Sequence, residues 1–392
     1  MAFFKFSADK VFTADSKLTE KVVLVTDETG KILSVDPAAD HDPVSIQFLH
    51  GILCPGFINT HCHLELSHMK GKVHTGTGLL PFLKNVVSFR DIDQEVIFQA
   101  IRDGHNEMQA NGIVAVGDIS NKSDTTTVKS TGEISYYTFV EMFDFLQPSL
   151  TQQTIAQYNA VMEAQDKSHY NCKTFVPHAP YTVSPDLFDF INVSNPQGVT
   201  VSIHNQETQD ENELFLTGKG GFADFYRSFG FSLDHFSPSG KTSIHYILHN
   251  LNPDFRTIFV HNTMSRHEDI LAAQDWNPGN CYWATCPNAN LYIENRLPDY
   301  RVFLDTKAAV TIGTDSLTSN WKLCVWEEIK TIRRFQSYVP LEDCLTWATA
   351  NGARALGYED RLGSFESGKS PGIILLEGDL TDEAGLRPVR LI

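Results

Sequence analysis

Apolar runs that lead to a histidine, cysteine or carboxylate recur from about residue 51 to residue 315, separated by amphipathic stretches. No other feature constrains the fold of this 392-residue chain so tightly. Runs at 113–116, 136–140, 174–176, 199–203, 258–260, 282–284 and 310–312 lead to Asp118, Glu141, His178, His204, His261, Cys286 and Asp315. An eighth, from Ile52 to Ile58, leads to His61 and His63. Segments 94–109, 151–164, 185–191, 211–229, 266–274 and 325–335 carry the apolar spacing of helices. Strands alternating with helices predict a parallel sheet. Eight such units predict an α/β chain built as a (β/α)8 TIM-type barrel, whose active sites lie where the strands end.

The flanks read differently. Segments 3–8, 11–13, 22–26, 32–35 and 46–49 are short strand-like runs separated by turn signals. Strand-like composition returns at 373–376 and 389–392, so the tail is expected to add strands to the N-terminal β unit.

Composition narrows the function. Hydrophobic content of 42% and aromatic content of 11% suit a packed globular chain. With 31 basic against 48 acidic residues, the formal charge of −17 repels phosphate backbones and anionic membranes. A small-molecule substrate is therefore expected, with no nucleic acid and no membrane partner. The seven cysteines lack paired spacing, and most sit in apolar surroundings, where reduced thiols are the expectation. With no signal-peptide pattern at the N-terminus, a cytoplasmic location fits.

The chemistry gathers at the predicted strand ends. Residues two apart on a strand face the same side, so His61 and His63 aim both imidazoles at one point. With His204 and Asp315 they form a set of three imidazoles and a carboxylate, suited to one divalent ion, Zn²⁺ or Fe²⁺. Such an ion lowers the pKa of water from ~16 toward ~7. Asp315 then serves both as ligand and as proton acceptor. Glu207, three residues past His204, reads alone as readily as an acid at a helix N-terminus. Beside His204 it is placed to protonate a ring nitrogen and pass a proton to departing ammonia. His261 is placed to bond the attacking water or to orient the attacked carbon's substituents.

The set Pro55-Gly-Phe-Ile-Asn-Thr-His61-Cys-His63, His204-x-x-Glu207, Val260-His261-Asn, Cys286-Pro-Asn-Ala-Asn290-Leu and Gly313-Thr-Asp315-Ser resembles the amidohydrolase superfamily. Specifically, it is similar to the mononuclear metal-dependent aminohydrolases that act on purines, aminonucleosides and triazines. The resemblance implies a barrel spanning 51–359 and a small β-sandwich built from 1–50 and 360–392. Members with two metals usually carry a bridging lysine after strand four. This chain reads Phe175-Val-Pro-His178 there, so one metal is expected. A homodimer is consistent with the likeness.

Finer features resemble the deaminases of 6-amino-6-deoxyfutalosine, a nucleoside of menaquinone synthesis. They are His63-Leu-Glu65-Leu-Ser67, the Gly76–Leu83 segment, His178-Ala-Pro-Tyr-Thr, Asn290-Leu-Tyr and Asp315-Ser-Leu-Thr-Ser319-Asn320. Glu65 is expected on the pocket side, accepting from ribose hydroxyls. His178, Asn290 and Ser319 are expected to contact substrate. Lys84, Arg90, Arg296 and Lys322 are the candidate partners if the substrate carries a carboxylate. Other readings keep the site and change the substrate to guanine, S-adenosylhomocysteine or methylthioadenosine, or a chlorotriazine. A metal-stabilised, non-catalytic barrel is the reading from another class.

Overall fold

The computed structural model describes residues 3–165 and 167–392. The chain opens with β1 (Phe3–Phe12), β2 (Leu18–Thr19), β3 (Val22–Asp27), β4 (Ile32–Pro37) and β5 (Gln47–Pro55). β6 (Phe57–Cys62), β7 (Ile113–Ser120), β8 (Ser135–Met142) and β9 (Cys172–Pro177) form one four-stranded parallel sheet, in that order. β10 (Thr200–Asn205), β11 (Arg256–His261), β12 (Cys281–Thr285) and β13 (Ala309–Ile312) form a second. β14 (Ile373–Glu377) and β15 (Arg387–Arg390) close the chain.

The fold is α/β with parallel sheets. β6, β8, β10 and β12 are buried along their whole length, as strands covered on both faces must be. The two sheets meet at both pairs of edges, through a few isolated contacts rather than ladders. His204 N donates to His178 O at 2.9 Å between β10 and the end of β9. At the other junction the backbone nitrogens of Thr314 and Asp315 each donate to His61 O at 3.0 Å, and Cys62 bridges Asp315. All eight strands present their C-terminal ends to one region, which collects the polar residues named above.

The termini meet in a separate sheet, ordered β15-β14-β5-β1-β3-β4, with β2 paired to β1. Its core includes Phe6, Leu24, Ile32, Leu53, Phe365, Ile373 and Leu375. Burying each such side chain contributes roughly 1.5–3 kcal/mol. The tail therefore does pair with the N-terminal unit, through β14 against β5. The apolar run before His61 is divided, because 51–55 belong to β5 and only 57–62 to β6. The chain crosses between sheets at Gly56, where a Cβ would lie 2.3 Å from Val114 and 2.6 Å from Pro371 O.

The single helix expected over 211–229 is two, Gln209–Thr217 and Gly221–Ser228. Gly218, left-handed at φ 71°, ends the first. The described segments also include a helix at Leu79–Phe89, which is not among the helices expected from the apolar spacing. The seven cysteines are unpaired, and all but Cys172 are buried. No helix among the described residues is long and apolar enough to cross a membrane.

Candidate metal and active site

Four residues at the strand ends hold left-handed backbone without being glycine: Gln206 (φ 49°), His261 (72°), Asn262 (57°) and Asp315 (54°). Each such residue costs about 1–3 kcal/mol and persists only where its surroundings over-determine it. They do so here. Glu211, buried behind the 206–207 turn, accepts from the backbone nitrogens of Gln206 (2.8 Å) and Glu207 (3.1 Å). Asn262 donates its amide to Phe259 O and Ala284 O, and accepts from Asn205 at 3.0 Å. The Asp315 backbone is tied to His61 O.

These turns bring the predicted ligands together. His61 Nε2 and His63 Nε2 lie 3.2 Å apart, with Asp315 Oδ1 at 3.7 and 3.5 Å from them. The nitrogens of His61, His63 and His204 all lie within 4.8 Å of one another. His204 Nδ1 donates to His178 O at 2.7 Å, which leaves Nε2 as its ligating atom. Burial and the neighbouring imidazoles hold His61 and His204 well below the ordinary histidine pKa, and burial lowers His63 as well. All three are therefore neutral, the form that ligates metal. Two nitrogens bound at ~2.1 Å to one tetrahedral ion are separated by roughly 3.4 Å, so the His61–His63 spacing fits a zinc-sized ion.

Glu207 stands beside this cluster, buried, with Oε1 3.6 Å from His261 Nε2. Burial, then the charges of Asp315 and Glu211, raise its carboxyl well above the usual range. His261 Nδ1 donates to Asn290 Oδ1 at 2.9 Å, which turns Nε2 toward Glu207. Burial keeps His261 neutral. Asp315 Oδ2 accepts from Ser319 Oγ at 2.7 Å.

The four residues assigned to substrate divide. His178 lines the cavity over the cluster, its Nδ1 2.8 Å from Thr182 Oγ1, and burial brings it down to about 3. Asn290 and Ser319 are not cavity residues; they hold His261 and Asp315. Glu65 corrects the expectation of a free pocket carboxylate. It is bonded to Arg90 and accepts from the backbone nitrogens of Asn121 and Lys122 at 3.0 Å each. Strand alternation carried past its limit produced that expectation. β6 ends at Cys62, and Leu64–Met69 is a 3₁₀ turn that sends Glu65 inward.

Several cavity residues carry no motif. Arg90, Asn121 and Glu141 form polar wall, and Leu79, Phe82, Leu83, Val86, Phe222 and Phe225 form apolar wall. Of the four cations offered for a carboxylate, Arg90 is the one that lines the cavity. Helical spacing of 79, 82, 83, 86, 87 and 90 was the signal that would have found this wall.

The model of the amidohydrolase family matches residues 52–389. An adenosine deaminase of Helicobacter pylori is 26% identical over 378 residues, covering 92% of this chain and 89% of that protein. An aminodeoxyfutalosine deaminase of Nitratiruptor is 26% identical over 355 residues, covering 87% and 81%. The crystal structure of Helicobacter pylori aminofutalosine deaminase with methylthio-coformycin superposes with a TM-score of 0.80 at 21% identity, covering 99% of this chain and 100% of that one. The neighbour's likeness is one of fold. The chain belongs to the amidohydrolase family of metal-dependent enzymes and is a hydrolase that acts on carbon–nitrogen bonds other than peptide bonds.

Proposed function

We propose that this protein deaminates an aminopurine nucleoside, replacing the exocyclic amine of the ring with oxygen and releasing ammonia. The observation that carries this reading is Glu207, a buried carboxyl 3.6 Å from His261 and beside a cluster of three histidines and Asp315. His61, His63, His204 and Asp315 would hold one divalent ion, Zn²⁺ by preference over Fe²⁺, which when bound makes a water acidic enough to attack at neutral pH. Glu207 gives its proton to the ring nitrogen next to the attacked carbon. Asp315, steadied by Ser319, takes a proton from the attacking water. His261, held by Asn290, bonds that water and orients it. Glu207, now a carboxylate, takes the remaining proton of the added hydroxyl and passes it to the leaving amine, the proton held by Asp315 returns to Glu207, and the products are the oxo-purine and ammonia.

The preferred substrate in this reading is of the 6-amino-6-deoxyfutalosine type, and the reaction a step of menaquinone synthesis. Two observations support it: relatives named for adenosine and aminodeoxyfutalosine, and a cavity that sets apolar side chains opposite the polar cluster. We also read the two four-stranded sheets as halves of one (β/α)8 barrel that begins at β6, at Phe57 rather than at 51, and runs to about 359, with a terminal β-sandwich unit that takes in β5 through Pro55 and the 360–392 tail. The edge contacts at both junctions and the full-length fold likeness support that division.

Ammonia release by zinc- or iron-loaded protein tests the reading. The panel holds aminodeoxyfutalosine, adenosine, S-adenosylhomocysteine, methylthioadenosine, guanine and an aminochlorotriazine. Preference for aminodeoxyfutalosine is expected. Preference for guanine or the triazine would discard the nucleoside assignment, and silence on every compound with metal bound would discard deamination.

A further inference from the structure

Glu141, at the C-terminal end of β8, is buried in the cavity wall. Its direction is fixed from one side. Asn121 Nδ2 donates both to Glu141 O at 2.9 Å and to Glu141 Oε2 at 3.1 Å. The other oxygen, Oε1, is buried and has no hydrogen bond among the described residues. Its near neighbour, His204 Nδ1 at 3.4 Å, already donates to His178 O at 2.7 Å. A buried carboxyl oxygen without a partner is unfavourable and uncommon in native proteins. The oxygen is closed off as the side chain stands, but Glu141 lines the cavity, so a turn of its carboxyl brings this oxygen to a bound molecule.

The surroundings say what that molecule presents. Arg90, Asn121, His178 and Thr182 line the cavity together with Glu141. Glu65 already neutralises Arg90, so this stretch offers an anion no uncompensated positive charge. A hydroxyl fits instead. It donates to an ionised carboxyl and accepts from a protonated one, so it matches Glu141 in either state.

We infer that Glu141 is a substrate-binding residue that receives a sugar hydroxyl of the nucleoside, with Asn121 as the residue that positions it. This is the role that spacing alone gave to Glu65. The inference rests on the nucleoside reading of the site.

The test uses purine riboside, which has no amine to lose, and its 2′-deoxy and 3′-deoxy analogues. Calorimetric binding to the zinc-loaded full-length protein gives the affinities. Wild type is expected to bind one of the deoxy analogues at least about tenfold more weakly than the riboside, the loss expected when a buried polar group is left unpaired. In Glu141→Leu, that analogue and the riboside bind within about twofold, with zinc content unchanged. Asn121→Ala, which frees Glu141 to turn, shrinks the discrimination and serves if Glu141→Leu does not fold. Equal binding of all three compounds by wild type would overturn the inference, as would full discrimination by Glu141→Leu. Binding of riboside without ammonia from any aminonucleoside would sink deamination while still testing Glu141. No binding of any of the three sinks the nucleoside reading, and this inference with it.

Discussion

The floor of the cavity and its outer wall are built on different physics. The floor comes from strand ends. His61, His204, His261, Glu207 and Asp315 are buried, His261 and Asp315 at strained left-handed positions, and His204, His261 and Asp315 are each held by a named partner. The outer wall comes from the helices Leu79–Phe89 and Gly221–Ser228, and it is largely apolar. Those helices approach closely at Gly221, where a Cβ would lie 2.5 Å from Leu80. The floor is tuned for charge and proton position, which needs fixed polar partners. The wall is tuned for shape and desolvation, which needs area and tolerates variation in any one side chain.

If that contrast is right, changes at the floor act on turnover and changes at the wall act on binding. The largest effect is expected from replacing His63 or His204 by alanine. Metal content measured by mass spectrometry should fall together with ammonia release, and an active, metal-free variant would break the comparison outright. Next, Glu207→Gln should keep the metal and lower kcat by roughly 10²–10⁴-fold, the range for loss of a positioned acid. Turnover near wild type there would remove Glu207 from the mechanism.

Ser319→Ala should lower metal affinity or activity by roughly 10–100-fold, as for other groups that orient a ligand. A competition titration with a zinc chelator reads it, and an unchanged affinity would mean that Asp315 needs no such support. At the wall, Phe225→Ala should raise KM by roughly tenfold through lost apolar contact, with kcat nearly constant. A fall in kcat at constant KM would place this ring at the chemistry instead.

The smallest effect concerns stability and pH. In the metal-free protein, burial lifts the Glu141 carboxyl to about 8, against ~4.3 in an unfolded chain. The native state therefore binds a proton that the unfolded chain releases. This group's contribution to stability is complete below the unfolded value and is lost as pH rises through about 8. Glu141→Gln lacks that loss, so its Tm relative to wild type should rise by a few degrees between about pH 5 and pH 8. A constant difference across that range would show that the carboxyl is not perturbed.

How much of the site was legible depended on how local the signal was. His61 and His63 were readable because period-two alternation holds as long as the strand does. Glu65 was misplaced for the same reason, since the strand stops at Cys62. Asn290 and Ser319 were picked out with the site, but their targets, His261 and Asp315, are set by how helix Pro287–Glu294 and the 316–319 turn pack. Arg90 was legible only as one of four candidate cations, and Glu141 only as a strand-end acid. Their places in the wall follow from Asn121, which bonds to both across a turn after β7.

By itself, the sequence determined the alternation of strands and helices, the chemical kinds of residue at the strand ends, and membership of a metal-dependent hydrolase family. These are properties of period and spacing, which a linear chain carries in full. Only the tertiary structure decided which carboxylate faces the cavity, because that depends on hydrogen-bond partners far apart in the chain. Glu65 lost its freedom to Arg90, 25 residues away, whereas Glu141 kept one oxygen unpaired because the donor nearest to it was already committed to His178. Satisfaction of buried polar atoms is settled only when every competing donor is in place.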